Sequence, residues 1–257
     1  AWQRIFDGPL LEPWDEDGAR VAASGDGGSF LLWTSYPWMG EFPVAVMRLG
    51  PAGEVVWLRE AGIGLAFTVA GSLDMAISAA SDGGAIAALP ADAGVQLIGL
   101  TSDGDLAWSR LLHRGQASSV SLLPDVGFLI SGSDETGPHH GWFAALDSGG
   151  DPIWQACVAD PVEPLAGRSA FPTTDGGIMA VSRGFDVTWF AKLTGTGGFY
   201  GECDHLVEPP HVATPVDVEV MPAALTASDS VFEVVDVDIP VSPYPVSTTL
   251  ECSGARP

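Results

Sequence analysis

The chain has 257 residues and a mass of 26.7 kDa, enough for one large domain or two modest ones with a sizeable core. Ten Lys and Arg stand against 33 Asp and Glu, a formal net charge of -23 that repels phosphate backbones and argues against nucleic acid or anionic membrane as partners. A hydrophobic fraction of 46% is too high for a disordered acidic chain, and no run of about eighteen apolar residues is present to insert into a bilayer as a helix.

The chain opens at Ala1-Trp2-Gln3-Arg4, with neither an initiator Met nor a charged start followed by an apolar stretch. The expectation is a removed leader or a piece of something longer. Trp2 begins a pattern that Trp57, Trp108 and Trp154 renew at spacings of 55, 51 and 46 residues. A period near fifty is the scale of one blade of a β repeat protein. After each Trp come a loop, a short strand and a glycine turn. The turns are Asp26-Gly27-Gly28, Asp82-Gly83-Gly84, a degenerate Pro124-Asp125-Val126-Gly127, and Asp175-Gly176-Gly177. Asp-Gly and Gly-Gly between alternating apolar residues are hairpin signals, because glycine supplies positive φ without strain. A third strand then runs to a leucine, and from Leu49, Leu100 and Leu146 to the next Trp is eight residues each time.

These signals predict an all-β chain of repeats at about 2–56, 57–107, 108–153 and 154–203, each with three or four short strands and no helix. Stacking such sheets buries both faces, with the repeated Trp as a wedge between neighbours. Trp142, Trp189 and, as a continuation of the strand through Leu31, Trp33 are expected in the core. Past Leu193 the pattern changes. Cys203 takes roughly the place of the next Trp, and residues 204–257 are Pro-rich with alternating stretches such as Val216-Asp217-Val218-Glu219-Val220. This tail is expected to close or cap the repeats as edge-type strands.

The Asp-Gly-Gly turns, the Trp series and above all Ala145-Leu146-Asp147-Ser148-Gly149-Gly150-Asp151-Pro152-Ile153-Trp154 resemble bacterial secreted β-propeller repeat proteins, akin to quinoprotein-like and WD-like propellers. The resemblance covers roughly residues 1–203. It implies a small β-propeller of about four repeats with a closing C-terminal sheet, or the C-terminal part of a larger propeller. It also implies an extracellular, periplasmic or cell-surface location, and carries over no functional residue. The tail resembles the closing segment of such proteins, which two cysteines bracket. Here these are Cys203 and Cys252, expected as a disulfide in an oxidising compartment. The rival pairing is Cys157 with Cys203, and three free thiols are the remaining alternative. Cys157 otherwise reads as core packing.

Chemistry is sparse. No nucleophile elbow, phosphate loop or haem-attachment motif is present, so no catalytic residue is assigned. The candidate basic groups Arg20, Arg59, Arg110, Arg114, Arg168 and Arg183 are read as not recurring at one register. No cofactor is expected, apart from a weak Ca2+ candidate at Asp15 and Asp17, where three carboxylates crowd Trp14-Asp15-Glu16-Asp17-Gly18. Asp26, Asp82 and Asp175 read as turn residues bonding their own backbone. His139 and His140 sit in a polar loop. Tyr36, Trp38 and Phe42 crowd one insertion, and insertions of repeat proteins gather on one rim. The candidate binding set is therefore Tyr36, Trp38, Phe42, His139 and His140. The function this favours is a non-catalytic exported docking or structural subunit whose partners are other protein subunits. The alternative is a glycan-binding module, or a hydrolase or lyase acting on polysaccharide.

Overall fold

A computed structural model describes residues 4–7, 19–34, 44–62, 75–91, 94–113, 115–134, 140–158, 166–184, 188–198, 206–207, 213–215, 219–222 and 226–229. The described residues are all-β. After β1 (Arg4–Asp7), the first sheet holds β2 (Arg20–Ala23), β3 (Ser29–Thr34), β4 (Val44–Leu49) and β5 (Val55–Gly62). The second holds β6 (Ala76–Ala79), β7 (Ala85–Ala91), β8 (Gly94–Leu100) and β9 (Leu106–His113). The third holds β10 (Gln116–Leu123), β11 (Gly127–Asp134), β12 (His140–Asp147) and β13 (Pro152–Val158), and the fourth β14 (Ala166–Pro172), β15 (Ile178–Arg183) and β16 (Thr188–Leu193). Each sheet is an antiparallel meander. Among the described residues the four do not close into a barrel.

The turns explain the sequence rhythm. Between first and second strands, Ser24 N–H donates to Gly28 O and Gly27 N–H to Ser24 O, and the same pair of bonds recurs at Ala80–Gly84 and Thr173–Gly177. The Asp of each turn accepts the amide two residues on, at 3.0 Å for Asp26, 2.9 Å for Asp82 and 3.3 Å for Asp175. The turns that follow the third strands repeat the same pair of bonds, from Gly50 to Glu54, Thr101 to Asp105, Asp147 to Asp151 and Thr194 to Gly198. In the first three sheets a register shift follows Arg48, Gly99 and Ala145, just before the leucine. A fixed turn plus a fixed bulge makes the eight-residue step from leucine to Trp.

The Trp strand therefore finishes a sheet, so the structural unit starts one strand later than the sequence repeat. Sheets pack in chain order, and the first strand of each covers the sheet before it. Phe30, Leu32, Val46 and Trp57 of the first sheet meet Ile77, Ala87 and Ile98 of the second. Ile86, Ala88 and Leu97 meet Val120, Ile130 and Ala144, with Cys157 buried in the same cluster. Leu129 and Phe143 then meet Ala170, Ile178 and Ala191. Trp33 and Trp142 are buried, and Trp189 packs against the third of these clusters, as expected.

The tail differs from a closing sheet. Its described strands β17 (Leu206–Val207), β18 (Ala213–Pro215), β19 (Glu219–Pro222) and β20 (Thr226–Asp229) do not pair with one another. Instead β17 adds to β13, β18 to β9, β19 to β5 and β20 to β1, all antiparallel, so the tail runs back past the sheets in reverse order. It covers outer edges that would otherwise offer unpaired backbone groups. Counted from the Trp, the register is shared. Pro222 lies opposite Arg59, Pro215 opposite Arg110 and Asp229 opposite Arg4, each Arg two residues after its Trp. Proline lacks an N–H and is tolerated on such an outermost strand. No disulfide is seen among the described residues, and Cys203 and Cys252, the expected pair, lie outside them.

Candidate functional site

The meander sends alternate connections to opposite ends of each sheet. Among the described residues, one end carries tight turns, 24–28, 50–54, 80–84, 101–105, 123–127, 147–151, 173–177 and 194–198. The strands end at the other rim wherever the chain makes a connection of variable length, at 8–18, 35–43, 63–74, 92–93, 114–115, 135–139, 159–165 and 184–187.

The turn rim is knitted together. Trp57 Nε1–H donates to Ser102 O of the next sheet at 2.8 Å, Trp108 Nε1–H to Ser148 O at 2.8 Å and Trp154 Nε1–H to Gly195 O at 3.0 Å. The turn glycine of the next sheet lies under each indole. A Cβ on Gly104 would come within 2.8 Å of Trp57, and one on Gly150 within 2.6 Å of Trp108. Arg59 and Arg110, two residues after Trp57 and Trp108, reach the same turns. Arg59 donates to Gly104 O at 3.0 Å and Asp103 O at 2.7 Å, and Arg110 pairs with Asp151 at 3.0 Å. These arginines thus do recur at one register, which the sequence reading missed. Arg4 stands at the same place after Trp2, whereas the fourth repeat, which opens at Trp154, has Ala156 there, so the recurrence runs through three members and stops. The task of Arg59 and Arg110 is joining sheets, not lining a catalytic ring.

Electrostatics on this rim serve the turns as well. Arg48 bridges Asp26 at 2.7 Å and donates to Ser102 O at 2.8 Å. The Ser24 hydroxyl, the Gly28 amide and Arg48 hold the Asp26 carboxyl at about 2. Lys192, at the position of Arg48 in the fourth sheet, pairs with Asp175. With the Thr173 hydroxyl and the Gly177 amide it keeps that carboxyl well below the usual carboxylate range. Each carboxylate has local partners and a shared structural duty.

The predicted site residues belong to connections whose flanking strands end at the other rim. Tyr36, Trp38 and Phe42 belong to the connection joining β3 to β4, and His139 to that joining β11 to β12, the equivalent connection of the third sheet. Asp15 and Asp17 belong to the connection from β1 to β2. All six lie outside the described residues. His140 opens β12, its backbone opposite Asp134, and its side chain is likewise outside the description. The strands thus bring segments far apart in sequence to one end of the sheets. Among the described residues no group of three or more His, Cys, Asp or Glu stands where it could hold a metal ion.

The outer flank of the fourth sheet is a feature the sequence did not suggest. Phe190 is 67% exposed and Phe171 45%. Phe190 lies three residues before Leu193, the place that Val46, Leu97 and Phe143 hold before their own leucines. Those three are buried beneath the next sheet. No protein-family model matches the chain, and no curated protein is significantly similar to it.

Proposed function

We propose that the chain is a propeller-like, non-catalytic docking or structural subunit of an extracellular or surface complex, and that it binds a protein partner through its variable rim. The contrast between the two rims carries the reading. The tight-turn rim repeats one hydrogen-bonding pattern; its indoles, Arg59 and Arg110 tie neighbouring sheets, and Asp26 and Asp175 brace their own turns. The strands flanking the connections whose length and composition vary, the aromatic insertion of Tyr36, Trp38 and Phe42 among them, end at the other rim. Variable connections on a rigid repeat scaffold are where recognition residues accumulate. Aromatic side chains bury large area at low entropic cost, which suits a docking loop. Calcium at Asp15 and Asp17 would belong to the same rim and would order its first connection.

Affinity capture from the native source tests the reading, comparing the parent chain with a Tyr36→Ser, Trp38→Ser, Phe42→Ser variant. A protein retained by the parent and lost by an equally stable variant supports docking through this rim. Equal retention by both contradicts it. Release of reducing ends from a polysaccharide panel would favour the carbohydrate-active alternative instead.

A further inference from the structure

The tail meets the sheets at a constant step. Pro215 stands opposite Arg110, Pro222 opposite Arg59 and Asp229 opposite Arg4, so seven residues of tail serve each step. The Trp repeats that the tail crosses are uneven, with spacings of 55, 51 and 46 residues. Each of these Arg is the second residue after a Trp, so the outer edges offer one address three times. A segment with the seven-residue step therefore matches the edges in more than one placement. Moved along by one sheet, Pro222 would stand opposite Arg110 and Asp229 opposite Arg59, with the face of every residue kept. The hold on any one sheet is small. β18, β19 and β20 are three, four and four residues long, and Pro215 and Pro222 bring no N–H to their ladders. The tail is also added last and outermost. The four meanders, β2 to β16, are built from residues 20–193, so lifting the tail leaves their own ladders in place.

We propose that these outer edges are a strand-accepting site for the tail of a second copy, and that two chains exchange tails. A partner that adds to an edge supplies main-chain donors and acceptors along an extended run, and side chains at alternate places set its specificity. Here the run must also advance by seven residues per sheet and place a tolerated residue opposite each Arg. One segment meets those demands in this structure, the chain's own tail, and every other copy carries it. Reciprocal exchange makes a closed pair in which each edge is covered as before, unlike the open association of bared edges. Within one chain the tether gives the tail an effective concentration on the order of millimolar, so exchange grows as the protein concentration approaches that value. The inference is independent of the docking rim proposed above.

Met221 lies directly opposite Glu60, which sets the test. Full-length Glu60→Cys and Met221→Cys chains are mixed in equal amounts and incubated at about 1 mM and at about 10 μM, above and below the range where a tether dominates. A disulfide needs Cα atoms within about 7 Å and side chains on one face, which a one-residue slip removes. The expected result is a linked pair of peptides holding positions 60 and 221 from two different chains, found by non-reducing peptide mapping. Its yield should fall on the order of tenfold or more on dilution, and Ala61→Cys in place of Glu60→Cys should give much less. The Glu60→Cys, Met221→Cys double variant reports the tail in its own place. An internal bond there, with no link between chains in the mixture, would make the tail private to its chain and overturn the proposal. Should the variants fail to fold, isotope-filtered NMR of mixed labelled and unlabelled full chains decides. Contacts between 219–222 of one chain and 59–62 of another support exchange, and contacts within single chains alone contradict it.

Discussion

The indole of Trp57 donates to the carbonyl oxygen of Ser102, 2.8 Å away, in the third-to-fourth turn of the next sheet. That carbonyl also accepts from Arg48, so one turn of the second sheet holds two side chains of the first. The wedge expected from the Trp series is therefore also a hydrogen-bonded tie. Trp57→Ala should cost about 3–5 kcal/mol, the loss of a large buried aromatic. Most of that should return in Trp57→Phe, leaving a deficit near 1 kcal/mol for the missing donor, since Ser102 O keeps Arg48. Urea unfolding of the two variants measures both.

Gly150 and Gly176 have the same φ of 80°, in different surroundings. A Cβ on Gly150 would strike the Trp108 ring at 2.6 Å, whereas one on Gly176 meets nothing within 4 Å. Gly176→Ala should cost only the left-handed backbone penalty, about 1–2 kcal/mol. Gly150→Ala should cost more, because steric displacement of the indole adds about 1–3 kcal/mol. Equal losses in thermal unfolding would show that the indole does not rest on the turn.

Asp26 ties pH to the first turn. Its folded-state carboxyl is held at about 2, below the ordinary 3.8, by Ser24, Gly28 and Arg48. A carboxyl depressed in the fold adds stability that is fully present above its unfolded value and is lost as pH falls through its folded one. The stability gap between parent and Asp26→Ala should therefore be constant near neutrality and shrink as pH drops from about 4 to about 2. Carboxyl carbon shifts in the parent should show the midpoint directly, and Arg48→Met should raise it.

The tail covers the outer edges of β13, β9, β5 and β1, the last three at one register. Ending the chain after residue 212 should bare the last three, and exposed edges pair with other chains. Light scattering should show concentration-dependent association of the shortened chain where the full chain stays dispersed. An equally monodisperse shortened chain would mean that edge cover is not what the tail provides.

The rhythm of the fold was legible because the turns that set it are local. Asp26 and Gly28 act within one turn, and Leu49, the Gly50–Glu54 turn and Trp57 within eight residues of one another, so their spacing survives in the sequence. The grouping of strands into sheets was not, since Trp57 reads as an opening residue but closes its sheet by pairing with Arg48. β17 to β20 are two to four residues long and carry two prolines, too short for periodicity to reveal. Residues of the candidate site could be picked by type, as Trp38 and His139 were, yet their shared rim depends on strand parity. That parity becomes visible only once the meander is known.

Crosslinking in the native source tests the docking rim most directly. Lys192 is the only lysine, so a carboxyl-reactive dihydrazide linker is the suitable reagent. The variable connections carry carboxylates in their sequence, Asp15 and Asp17 among them, and the tight turns carry Asp82, Asp103 and Asp105. The account predicts that crosslinks to a partner protein fall in the variable connections, at Glu41 of 35–43 and in 8–18, 135–139 or 159–165, and spare the tight turns. Partner crosslinks concentrated at Asp82, Asp103 and Asp105 would contradict it.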